Sequence, residues 1–289
     1  MRLSLLSIII SFLILSNCQP KQQESLDTTT PSLSKLWETD TLLQTPESVI
    51  FNPTDSLLYI SCINGVPSGK KDGDGYIAKI SAKDGSMVQL NWATGLHAPK
   101  GMGIYDGMLY VADIDSVVVI SLASGEIVKG YWVEGADFLN DIDISDSGEV
   151  YISDSGTDKV HLLLGDSVTT MLESSDFGRP NGLLHLGDKM MMATSGSGNF
   201  YTINTTDWTY NILTDSLFSG DGVKQIGDDF IVSCWKGEIY YVAANGEKTL
   251  LLNTEEAFNT ADIELLPESK TVFVPTFFGN QVIAYQLKN

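Results

Sequence analysis

The sequence predicts an all-β chain folded as a six-bladed β-propeller with four-stranded blades, and three observations predict it. First, one plan recurs six times, with equivalent positions at Glu47, Lys100, Asn140, Asn181, Asp221 and Ala261, spaced 53, 40, 41, 40 and 40 residues apart. A period near 40 built from short strands is the mark of a propeller. Second, each unit holds runs rich in β-branched and aromatic residues, bounded by turn signals. Third, the last unit, Ala261–Asn289, has 29 residues, enough for three strands. The segment Lys35–Leu43 is expected to supply the fourth, closing the ring and removing its exposed sheet edges.

Before the repeats come two segments of another kind. Residues 1–17 read as a signal peptide, with a positive start at Arg2 and an apolar run, Leu3–Leu15, broken only by Ser. A spanning helix needs about 20 residues, so this run is a leader rather than an anchor. It ends in Leu15-Ser16-Asn17-Cys18, which resembles a bacterial lipobox with Asn17 where a Gly, Ala or Ser is usual. The resemblance implies that Cys18 is lipidated and that the protein is exported and anchored to a bacterial membrane, periplasmic or at the cell surface. Residues 18–34, polar and rich in Gln, Ser, Thr and Pro, read as a flexible tether, and residues 35–289 as the propeller.

Within the repeats the second strands align best: Leu58–Cys62, Leu109–Asp113, Val150–Asp154, Met190–Thr194, Phe230–Cys234 and Val272–Thr276. Turns such as Asp106-Gly107 and Gly187-Asp188 precede them. Third strands are expected at Gly75–Ile80, Val117–Leu122, Lys159–Leu164, Asn199–Ile203, Glu238–Val242 and Gln281–Gln286, and fourth strands include Ile127–Val133, Trp208–Leu213 and Lys248–Leu252. The long first interval carries an insertion around Asn64–Gly75. Beyond Cys18, only Cys62 and Cys234 remain, each ending an apolar run, which fits buried free thiols.

The formal charge is −20, from 37 Asp and Glu against 17 Lys and Arg. Nucleic-acid binding requires clustered Lys and Arg and is excluded on this balance. Adsorption to anionic membrane surfaces is disfavoured for the same reason, leaving a lipid anchor as the expected membrane contact. A monomer acting on a small molecule is the expected state.

The first strand of each propeller blade lines the central channel, so its starting residues converge at one mouth. Here that ring reads Glu47, Lys100, Asn140, Asn181, Asp221, Ala261. Two carboxylates and two carboxamides offer four hard oxygen donors, which suits Ca²⁺ or another hard divalent cation, and the lack of His and Cys disfavours zinc.

At these residues the sequence resembles the SMP-30/gluconolactonase group of six-bladed propellers, related to the paraoxonases and calcium-dependent phosphotriesterases. The resemblance covers Lys35–Asn289. Its motifs are Pro46-Glu47, Asn140-Asp141, Arg179-Pro180-Asn181-Gly182 and Gly220-Asp221-Gly222. It implies a catalytic cation held by Glu47, Asn140, Asn181 and Asp221, with Asp221 doubling as general base, and metal-dependent hydrolysis of lactones or related esters. Lys100 departs from the pattern, bringing an ammonium into the ring to weaken the metal or to bind an anionic substrate group. Phe138-Leu139 stands where a substrate-binding arginine is expected, and no second, structural calcium signature is visible. His97 is a candidate base, and Arg179, Trp235 and Phe277 are candidate substrate contacts. Asp113 and Asp154 are expected to bond loop backbone, Asp72-Gly73-Asp74 to be a turn, and Trp132 and Trp208 to pack blades. The competing reading is a non-enzymatic propeller, nearer the NHL-type repeats, holding a glycan, peptide or partner protein.

Overall fold

The computed structural model describes residues 30–254 and 257–288. The leader, Cys18 and most of the tether lie outside the described residues. The described chain forms six four-stranded antiparallel sheets. Their innermost strands are Pro46–Asn52, Pro99–Tyr105, Leu139–Ile144, Pro180–Leu186, Gly220–Ile226 and Glu264–Leu266. Each blade runs outward in chain order, except the last, where the N-terminal strand Ser32–Glu38 adds outside Val282–Lys288.

That closing strand begins three residues before the expected Lys35 and stops short of Leu43. Leu43 is instead fully buried in the cluster between the last and first blades, beside Val49, Leu58 and Phe273. Trp37 packs against the same cluster, its ring 5.6 Å from that of Phe273. Fourth strands also form at Met87–Leu96 and Ser167–Glu173.

The core is not one mass. Six buried clusters each join two neighbouring blades, as where Tyr59, Ile77 and Leu96 of the first meet Met102, Leu109 and Val111 of the second. Cys62 and Cys234 lie inside them as free buried thiols. The outermost strands alternate towards solvent, so a strand such as Ile127–Trp132 is exposed along most of its length. This overturns the expectation for Trp132, which is 62% exposed, whereas Trp208 does pack, its ring centred 6.2 Å from that of Tyr151.

Much of the acidity is turn chemistry. The carboxylates of Asp55, Asp84 and Asp207 each accept the backbone N–H two residues ahead at 3.1 Å, a turn device that needs a short acidic or amide side chain. Asp106 and Gly107 both have positive φ, 47° and 75°, as a two-residue type I′ hairpin requires.

A repeated irregularity positions the site. In each of the first five blades the ladder between first and second strands slips around the ring residue, as between Pro46 and Ser48 or Pro180 and Leu183. Such a bulge leaves an extra residue unpaired and redirects side chains. The displaced N–H groups of Ser48, Asp141 and Gly222 donate instead to the hydroxyls of Ser61, Ser153 and Ser233 on the second strands. The Ser in the repeated second-strand motif is therefore the bulge's hydrogen-bond partner.

Candidate functional site

The ring residues converge as expected. Glu47, Lys100, Asn140, Asn181 and Asp221 line one cavity of about 330 Å³ at the channel mouth. All five are buried, Lys100 to 1% exposure. Their supports are local. Both carboxylate oxygens of Asp113 accept the backbone N–H of His97, and one of them that of Ala98, fixing the approach to Lys100. The Asp154 carboxylate does the same for Phe138 and Gly156, next to Asn140. Both aspartates thus serve the loop backbone, as their sequence positions imply.

The two carboxamides are oriented. Asn140 Nδ2 donates to Ser155 Oγ at 3.0 Å, which leaves Oδ1 as the free end of that amide, and the Asn181 amide lies near enough to Asp221 to favour its charged form. Glu47 is not so settled. Its Oε2 is buried with no hydrogen-bond partner. A buried oxygen of this kind costs about 1–3 kcal/mol unless something meets it. Burial, and then repulsion from Asp221, hold the Glu47 carboxyl well above its usual range; Lys100 opposes this, and Asp262 and Asp141 add to it. Asp221 is raised likewise, by burial and then by Asp262, with Asn181 opposing. A cation between the two would reverse both effects.

Lys100 is the nearest resident cation. Its Nζ donates to Ala98 O at 2.9 Å and sits 4.3 Å from the Phe138 ring centroid. Burial pulls the ammonium down to about 8, with Glu47 and then Asp113 opposing. Phe138, at the position expected for arginine, is thus a mouth residue whose ring faces Lys100 and, at 5.9 Å, the guanidinium carbon of Arg179.

The raised carboxyls carry a pH signature. In the interval between their unfolded and folded pKa values the native state holds more protons than the unfolded one, so this contribution to stability falls as pH rises. Removing one carboxyl with Asp221→Asn is expected to flatten the dependence of Tm on pH between pH 5 and 8. Parallel wild-type and variant profiles would contradict it.

A second tier lies below. Ser48 Oγ donates to Asp262 Oδ2 at 2.6 Å, and Asp262 Oδ1 has no partner. Asp141 Oδ2 accepts Leu183 N at 2.7 Å, and Glu264 Oε2 accepts Phe51 N at 3.1 Å, both across blade boundaries. Lys224 lies in the field of Glu264, Asp262, Asp141 and Asp143 without a salt bridge to any of them; burial alone would lower its ammonium, but these carboxylates together hold it above its ordinary value. Sequence reading missed this tier. The signal is the residue after each ring residue and the one two further on, which the bulge and strand alternation turn inward.

Arg179, Trp235 and Phe277, named from the sequence as substrate contacts, line the same cavity. His97 does not. It lines a separate, smaller cavity with Asp72 and Asp74, beside the blade-one insertion, and its Nδ1 is buried without a partner. The reason is the Asp113 clasp on its backbone, which fixes the approach to Lys100 while the imidazole lies towards the insertion. The insertion also reaches the mouth, where Ser68 lines the main cavity. Ile63, Ser195, Ser219 and Lys236 complete the lining that sequence reading missed. Ile63, Ser195, Trp235 and Phe277 share one signal: each follows the last residue of its second-strand motif. Among the described residues no three His, Cys, Asp or Glu side chains are grouped to hold a metal, so any cation here depends on the asparagines.

No protein-family model matches the sequence, and no curated protein matches it. Solved structures do. A catalytically inactive virginiamycin B lyase from Staphylococcus aureus with quinupristin aligns at a TM-score of 0.63 and 12% identity, over 90% of this chain and 100% of that one. A chain of the nidogen/laminin complex aligns at 0.62 and 15% identity, over 74% of this chain and 82% of that one. The chain is a six-bladed β-propeller. At these identities the likeness speaks for the fold alone, and the mouth of the propeller must be read from its own side chains.

Proposed function

We propose that the channel mouth is a divalent-cation-dependent hydrolase site for lactones or related esters, in a lipid-anchored exported propeller of the SMP-30/gluconolactonase kind. The observation that carries this reading is the convergence of Glu47, Asn140, Asn181 and Asp221 from four blades on one cavity, with a buried Glu47 oxygen left without a partner. These are hard oxygen donors, fitting Ca²⁺ or a similar ion, and they leave room for water or a substrate oxygen. Bound there, such an ion would polarise a carbonyl and activate water. The residues supply the rest. Ser155 holds the Asn140 amide in place, and the Asp221 carboxylate stands where it would accept the proton of an attacking water. Lys100, pinned by Ala98, adds fixed positive charge beside the reacting group.

The membership rests on the motifs Arg179–Gly182, Gly220–Gly222 and Pro46-Glu47, and the anchor on the leader ending at Cys18. That a propeller neighbour is a lyase supports enzymatic use of such a mouth by analogy of fold only. Calcium titration of the mature chain by calorimetry, with a panel of lactones and aryl esters, tests the reading. Wild type is expected to bind calcium and turn over a panel member. Asp221→Ala is expected to lose the ion, and Asn181→Ala to lower kcat/KM about 100-fold or more, the scale of removing one preorganised electrostatic group. Failure of wild type to bind, or equal binding in Asp221→Ala, would sink it.

Lys100 favours a second reading. A fully buried ammonium inside the ring already faces Glu47, which suits a propeller that binds a glycan, peptide or partner protein without turning it over. Cation binding with no turnover across the panel would select this reading.

A further inference from the structure

In a chain so acidic, the mouth is built the other way. Lys100, Arg179 and Lys236 line the cavity that holds only two carboxylates, Glu47 and Asp221. Arg179 is the sole arginine beyond Arg2 of the leader. Among the described residues neither Arg179 nor Lys236 has a carboxylate within ion-pair distance. The Arg179 backbone is clamped instead, its N–H donating to Asp158 Oδ1 at 2.6 Å. The serines Ser68, Ser195 and Ser219 add hydroxyl donors to the same lining.

The cavity also has an aromatic side. Trp235 stands edge-on to Phe277 and Phe278, with ring centroids 5.3 and 5.9 Å away, and Phe278 is 58% exposed. Three lining residues hold left-handed backbone conformations: Arg179 at φ 68°, Ser219 at 61° and Phe277 at 47°. Such conformations cost about 1–3 kcal/mol each in ordinary residues and gather at functional sites. Here they fall on the cationic and the aromatic walls together.

We propose that the mouth takes a small amphipathic carboxylate, its anionic group facing Arg179 and Lys236 and its apolar part against Trp235 and Phe277. A guanidinium fork matches a carboxylate in plane, and an aromatic shelf accepts a ring or chain at little entropic cost. This names a substrate class for the site proposed above and rests on that site being the mouth, but not on its hydrolysing anything.

The test uses the mature chain and three non-hydrolysable probes: 4-phenylbutyrate, 4-phenylbutyramide and butyrate, titrated by calorimetry at low and high salt. Phenylbutyrate is expected to bind about 10-fold more tightly than its amide, the worth of one charge-assisted contact, and the margin should shrink at high salt. Arg179→Met is expected to erase the margin, and Arg179→Lys to keep part of it. Trp235→Ala is expected to bring phenylbutyrate down towards butyrate. Both positions are at least partly exposed, and melting curves confirm that the variants fold. Equal affinity for acid and amide in wild type, a margin that survives Arg179→Met, or no binding of any probe would overturn the proposal. A clear acid preference in a protein that turns over no ester would instead refute the hydrolase reading and leave this one standing.

Discussion

Gly182→Ala is expected to destabilise the propeller by about 3 kcal/mol or more, well beyond the common range for an added methyl group. A Cβ at Gly182 would stand 1.8 Å from the carbonyl oxygen of Asp221 and 3.1 Å from the Val223 side chain. The obstacle is backbone, on the first strand of the next blade, and it cannot swing aside as a side chain would. Gly101 and Gly222 are in the same position, with a Cβ placed 2.5 Å from the Asp141 Cα and from Ile263 N respectively. Strands this close to the axis leave no room for a side chain between them. The glycine in Lys100-Gly101, Asn181-Gly182 and Asp221-Gly222 is thus a packing requirement of the narrow channel. At about 2–4 °C per kcal/mol for a domain of this size, Tm should fall by roughly 10 °C. Gly130→Ala is the control, since a Cβ there meets nothing within 4 Å. A Gly182→Ala protein melting with wild type would refute the account.

Lys224→Met is expected to cost about 1–2 kcal/mol at neutral pH, below the loss for breaking a buried ion pair, because among the described residues no carboxylate comes within ion-pair distance of Lys224 and its side chain is only partly shielded from water. The variant keeps the bulk of the side chain but leaves Glu264, Asp262, Asp141 and Asp143 without their shared cation. Burial already pushes the carboxyls of Asp141, Asp143 and Asp262 upward. Without Lys224 they rise further, so protonation relieves the variant more than wild type. Its deficit should therefore shrink as pH falls from 7.5 to 5.5, and Lys224→Arg should show little deficit. Thermal melts at both pH values decide this, and a Met variant as stable as wild type at pH 7.5 would contradict it.

These two positions mark where sequence reading stopped. The period of the repeats placed Asn181 and Asp221 at equivalent points, and so at the mouth, because strand alternation and turn chemistry are local and survive in one dimension. The same reading named Arg179, Trp235 and Phe277 as mouth residues, and the cavity contains all three. It named His97 as a candidate base, but position along the chain cannot reveal which way an imidazole turns; the clasp of Asp113 on the His97 backbone decides that. It also counted Glu47 and Asp221 as the carboxylates with a cation to face, and so passed over the lower tier around Lys224.

The sequence alone determined the all-β class, the six blades, the closing N-terminal strand and the ring of residues at the channel mouth. Each follows from periodic hydrophobicity, from turn residues, or from the length left over in the final unit. Only the tertiary structure decided what surrounds that ring. The carboxylates around Lys224 and the stacking of Lys100 and Arg179 on Phe138 join different blades. Their contacts depend on angle around the axis and on depth along it, and neither coordinate is written in the spacing of residues along one strand.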